Sequence, residues 1–403
     1  MLTIKRGGLL AALAMVCLLV LAPLAGATTY SDRGAGILVW PLIEANIDFD
    51  TDTLISVSNT RTDDLVTAHC FYVNANSHCS NTGDVCIDDG DCNSGESVGA
   101  CTPGWNEIDF NIVLTQNQPL VWSALEGLQG SDLPCPRNGL CRGANQSNAG
   151  TRVPPLPESP FVGELKCVQV DPELREPTDR NDLIGNATVQ FFQVQVDTPP
   201  VNPQEIELFG ADPGKYNAVG IRAIEGAGAG GRDLIIGGPD AQYEPCPEVL
   251  IVNHLFDFAI DPISSNFDAP PGYFAITELA LVPCSEDFLT QTLTPVTAQF
   301  LVYNEFEQRF STSRQVRCLL NSALSEIDTT QPTRSIFSAF VAGTVAGQTR
   351  IRGVNGGLLG SAQLFYINPF TTLDETSTTR FGTADYNVHQ QGDRADADII
   401  RVP

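Results

Sequence analysis

"VTAHCFYVN", residues 66–74, returns 230 positions later as "VTAQFLVYN", residues 296–304. Both read as β-strands, rich in β-branched and aromatic residues and free of Gly and Pro. The first carries apolar or small side chains on both faces, with Cys70 in its middle. The echo has company in the same order. "TLISVSN" (53–59) faces "ELALVPC" (278–284), "LVWSAL" (120–125) matches "LLNSAL" (319–324), and "FVG" (161–163) matches "FVA" (340–342). "LIGNATV" (183–189) matches "LLGSAQL" (358–364), "YN" recurs at 216–217 and 386–387, and "LIIGGP" (234–239) faces "DIIRVP" (398–403). More loosely, "ILVWPLI" (37–43) faces "LIVNHLF" (250–256). Each match is short, and their shared order carries the weight. Two copies of one supersecondary unit follow, residues 28–240 and 241–403.

The gaps between matched blocks locate insertions. Between Asn74 and Leu120 lie 45 residues, against 14 between Asn304 and Leu319. Two inserts in the first copy, 75–104 and 126–160, hold Cys79, Cys86, Cys92, Cys101, Cys135 and Cys141. Loops of this length bury too little apolar surface to order themselves, so cysteines that staple them are expected to form disulfides. Cys135 and Cys141 are close enough to close a small loop, while pairing among the other four stays open. Cys70 and Cys167, both on framework strands, are expected to bridge each other. Of Cys246, Cys284 and Cys318, one is left over.

Each copy divides into short strands with turn clusters between them, and helical periodicity is almost absent. The one helix candidate is "SALSEID" (322–328). This spacing indicates an all-β chain of two tandem, duplicated antiparallel β-sandwich domains, immunoglobulin-like by first choice and jelly roll by second.

The N-terminus joins a basic pair (Lys5, Arg6), an apolar run (Leu9–Leu24) and a small-residue site (Ala25–Ala27), the pattern of a secretory signal peptide over residues 1–27. A secreted or periplasmic location follows, in which disulfides persist. The chain of 403 residues has 22 basic and 48 acidic side chains, a net charge of −26. That balance argues against nucleic acid and anionic lipid as partners. No later segment is long and apolar enough to span a bilayer as a helix. An outer-membrane barrel is disfavoured by strands with apolar side chains on both faces.

Motifs for chemistry are sparse. None of His69, His78, His254 and His389 has a paired metal-ligand spacing, and no nucleophile elbow is present. The glycine-rich "EGAGAGGRD" (225–233) lacks the Lys-Ser/Thr of a phosphate loop and reads as a connection. Asp48, Asp50 and Asp52 alternate, so a strand would put all three on one face, where Ca²⁺ would relieve their repulsion. Asp88, Asp89 and Asp91 offer a second calcium candidate inside the first insert. For both clusters a solvated acidic turn is the plainer reading, and no other cofactor is implied. Trp105 is a candidate platform for a sugar or peptide, weighed against core packing. Asn145 and Asn186 open glycosylation sequons.

The stretches "HCFYVNANSHCSNTG", "GELKCV", "KYNAVGI", "FLVYNEFEQRFSTS" and "QTRIRGV" resemble a family of secreted β-rich proteins from environmental bacteria to which no function is attached. The resemblance implies bacterial export and brings no catalytic residue. The expectation is a non-catalytic structural, surface or adhesion protein that meets a protein or glycan at the cell surface through the loops of copy one. The alternative is a carbohydrate-active or other extracellular hydrolase with a site of dispersed carboxylates.

Overall fold

The computed structural model describes residues 33–48, 51–86, 89–94, 97–128, 152–173, 175–191, 211–228, 230–260, 274–367 and 380–403. The expected signal peptide, Asp50, Asp88, Cys135, Cys141 and the Asn145 sequon lie outside them. The described residues are almost all β. In the first half the framework strands are β1 (Ile37–Ala45), β2 (Thr51–Asn59), β3 (Val66–Asn74), β4 (Asn106–Leu114), β5 (Pro119–Ser123), β6 (Phe161–Val170), β7 (Leu183–Phe191), β8 (Ala211–Asn217), β9 (Val219–Ile221) and β10 (Asp233–Ile236). They build two antiparallel sheets, in the orders β9-β1-β6-β3-β4 and β5-β2-β7-β8. Period-two side chains from both sheets meet in one core: Trp40, Tyr72, Leu165 and Phe110 from the first, Ile55, Val57, Trp122 and Ala187 from the second. Trp40 packs against Gly185, where any Cβ would strike the indole.

The second half contributes β11 (Pro247–Leu255), β12 (Phe274–Pro283), β13 (Val296–Asn304), β14 (Arg309–Val316), β15 (Leu320–Ala323), β16 (Ala346–Gly353), β17 (Leu358–Ile367), β18 (Arg380–Asn387), β19 (His389–Asp393) and β20 (Asp398–Arg401). Its sheets run β19-β11-β16-β13-β14 and, with β15 paired to β12, β15-β12-β17-β18. Each strand thus occupies the place of the strand ten before it.

Register refines the sequence matches. Asn74 stands opposite Gly163, and Asn304 opposite Gly347. The counterpart of "FVG" is therefore Val345-Ala346-Gly347. The three-letter match at 340–342 falls instead on a helical turn, Ala339–Ala342, capped by Ser338 and ended by Gly343 in the left-handed region. Leu183 stands opposite Asn59 and Leu358 opposite Pro283, so β2 aligns with β12 one residue earlier than the letters suggest. Ile55 and Val57 then correspond to Leu279 and Leu281, and both pairs face their own cores. Within "SALSEID" only Leu324–Glu326 coils, as a 3₁₀ turn.

Cys70 and Cys167 are bonded, facing each other across β3 and β6 with Cα atoms 4.0 Å apart. The corresponding pair in the second half is Phe300 and Ile351, also cross-strand neighbours in a core. Cys246 bonds Cys284, which leaves Cys318 as the buried free thiol.

The outer face of the β1–β3–β6 sheet explains why "VTAHCFYVN" is apolar on both sides. Ile37, Val39, Phe71, Val73, Val168 and Ile221 pack outward into a further core shared with the second half. Phe288, on the loop 284–295, stacks on Phe71 with ring centroids 4.1 Å apart. That loop joins β12 to β13, and its counterpart between β2 and β3 spans only 60–65. The second half therefore has an insert of its own. A small side sheet completes the junction: β10 pairs antiparallel with β20, Ile235 opposite Ile399.

Candidate functional site

The first insert is a small body of its own. Ser77–Cys79 pairs with Val85–Cys86 on one side and Cys101–Thr102 on the other, and Asn93–Ser94 forms a hairpin with Ser97–Val98. Cys79 bonds Cys92 and Cys86 bonds Cys101. These four cysteines pack on one another, apart from the three large cores. Val98 is 84% exposed at the hairpin end. The base is tied by Glu158, at the end of the second insert. Its Oε1 accepts from Asn74 Nδ2 at 2.6 Å and Asn76 Nδ2 at 2.7 Å, and its Oε2 lies 2.9 Å from His78 Nε2. Burial pushes the Glu158 carboxyl up, but these hydrogen bonds outweigh it and hold the group below its usual range.

Among the described residues, the acidic candidates Asp48, Asp52, Asp89 and Asp91 do not gather into a shared cluster. Asn46 and Thr51 exchange backbone hydrogen bonds, so Asp48 sits in the turn rather than on a strand face with Asp52. Asp52 already accepts from Ser123 Oγ at 2.5 Å and from the Leu125 amide at 3.1 Å. Asp89 accepts from the Cys101 amide at 2.8 Å, and Asp91 is exposed on the same loop. Among the described residues, the groups close enough to share an ion are Cys79, Cys86 and Cys92, and Cys246, Cys284 and Asp398. Both are built on sulfurs already committed to disulfides.

Trp105 is not an open platform. It is half-buried against the shared core, tilted toward Phe288, and its Nε1 donates to Glu286 Oε1 at 2.8 Å. Glu286 leads to the most unusual group of charges in the described structure. Lys166 Nζ, wholly buried on β6, lies 2.7 Å from Glu286 Oε2, 2.9 Å from Glu164 Oε1 and 3.2 Å from the Pro283 carbonyl. Burial pushes the Glu164 carboxyl well up and Glu286 adds to it, although Lys166 opposes. Sequence reasoning missed this group because Glu164 and Lys166 alternate in "GELKCVQV", a pattern ordinarily turned toward solvent.

The second half leaves open the face that the first half covers. Outward from β13 point Thr297, Gln299, Leu301 and Tyr303, where β3 carries Thr67, His69, Phe71 and Val73. A depression of about 610 Å³ lies here, lined among others by Gln299, Leu301, Ser311, Ser313, Arg350 and Arg352. Arg352 pairs with Glu248, and Arg350 donates to Gln391. The lining has no carboxylate and no histidine. No described helix is long and apolar enough to cross a membrane. No protein-family model, curated protein or solved structure matches this chain.

Proposed function

We propose that this chain is a secreted, non-catalytic binding module of a bacterial surface or periplasm. It arose by tandem duplication of one sandwich and contacts a protein or glycan through the stapled inserts of its first half. One observation carries the reading: the 77–102 insert is held by two disulfides and anchored by Glu158, yet contributes to none of the three large cores. Rigidity in a projection that the fold does not need is what pre-organised contact surfaces require. The shared strand order supports the duplication. The hydrolase reading needs two carboxylates facing one cleft. The Ser-, Gln- and Arg-lined depression suits recognition of a polar chain better than its cleavage. Replacing residues 78–102 with a short Gly-Ser linker is expected to leave the melting transition cooperative. Sedimentation with intact cells and signals on an immobilised glycan panel should be lost. Undiminished binding by that variant would refute the assignment of the contact face.

A further inference from the structure

The charges around Lys166 are arranged for more than a salt bridge. Three ionisable side chains are sealed between the two halves, Lys166 and Glu164 from β6 and Glu286 from the short strand Glu286–Asp287 after β12, each at most 1% exposed. A buried ion pair repays its desolvation poorly. Here one ammonium also faces two carboxyl groups, and a proton on one of them would leave a balanced ion pair. Among the described residues Glu164 Oε2 has no hydrogen-bond partner, which makes it the natural seat for that proton. The Lys166 nitrogen lies 2.7 Å from one oxygen of Glu286, so it is held beside the carboxyl group it would attack. The other oxygen of Glu286 accepts the Trp105 indole N–H at 2.8 Å, so a donor is already aimed where negative charge would collect on attack. Phe71, Phe288 and Cys318 belong to the surrounding core, which excludes bulk water.

We propose that Lys166 and Glu286 condense to a spontaneous intramolecular amide that joins the two halves covalently, with Glu164 as proton shuttle and Trp105 as oxyanion donor. The steps balance. A proton passes from the Lys166 ammonium to the Glu286 carboxylate, leaving an amine and two carboxylic acids. The amine lone pair forms the N–C bond to Glu286 Cδ, and the electrons displaced onto Oε1 are held by the Trp105 N–H. Glu164 relays a proton from nitrogen to Oε2, which leaves as water when the carbonyl re-forms. Glu164 ends protonated, hydrogen-bonded to a neutral amide. No oxidant, cofactor or activated donor is consumed.

Mass spectrometry of the mature protein, denatured and fully reduced, reads the outcome directly. The expected mass is lower than the sequence mass by one water, with a peptide containing Lys166 linked to one containing Glu286. Glu164→Gln and Lys166→Met are expected to restore the full sequence mass. The full mass in the wild-type protein overturns the proposal, as does a water deficit mapped to other residues. Retention of the link in Glu164→Gln overturns the role given to Glu164. The wild-type measurement stands even if a variant fails to fold.

Discussion

Asp385 shows what burial does to a single side chain at the junction. It stands on β18 in register with Gln363 on β17, which in turn faces Glu278 on β12. Its carboxyl lies over Gly214 of the first half, where a Cβ would collide with it. Burial pushes its pKa up to about 7, Glu44 and Glu278 add to the rise, and the Gln363 amide offsets part of it. In the unfolded chain the group ionises near its ordinary value, so stability is greatest below that value. It falls as pH climbs toward 7 and levels off above. D385N removes this dependence, and against the wild-type protein it should gain on the order of 2–3 kcal/mol between pH 4 and pH 8. Urea midpoints measured at both values check this, and parallel shifts in the two proteins would refute it. Asp257 and Glu107, each raised to about 7 by burial, act with the same sign, and His254, lowered to about 4 by burial, acts with the opposite one. Taking the difference from D385N cancels those contributions. The buried Cys318 thiol, held well above its ordinary pKa by burial, should resist alkylation until the protein unfolds.

Among the elements, the two kinds of disulfide should behave differently. The Cys70–Cys167 bond closes a loop of 97 residues inside a sheet, and its loss in C70A/C167A is expected to cost about 2–4 kcal/mol by chemical denaturation. Replacing Cys79, Cys86, Cys92 and Cys101 together should shift the same transition by less than about 1 kcal/mol, because the insert packs into none of the large cores. The strands themselves were legible from period-two patterning, and block order anticipated that the two halves share one strand order. Pairing order was not, because spacing along a chain does not say which sheet the next strand joins. The insert 284–295 could have been found: the offset between copies grows between the second and third matched strands. Its importance rests on Phe288, an ordinary residue in the letters that becomes a stacked ring only once β3 lies beneath it. For the acidic triplet at 48–52 the alternation was a weak guide, since Asn46 and Thr51 exchange backbone hydrogen bonds and Asp48 does not continue the strand that carries Asp52.

For the molecule as a whole, the shared core implies that the halves do not melt apart. Phe71, Val168 and Ile221 share that core with Phe288, Val282 and Leu359, and Phe288 stacks directly on Phe71. Calorimetry is expected to show one transition for the full chain, and residues 28–240 expressed alone should bind a dye specific for exposed apolar surface. Two separate transitions would contradict this. The pairing of Asp233–Ile236 with Asp398–Arg401 adds a constraint in time. A ribosome delivers the chain from its N-terminus, so the first sandwich emerges with an unsealed greasy flank and must wait for Asp398–Arg401 before it is closed. Completion of the first half is thereby tied to synthesis of the second, and a chain cut short before Asp398, however well its early strands pair, stays a sticky intermediate that quality control can recognise.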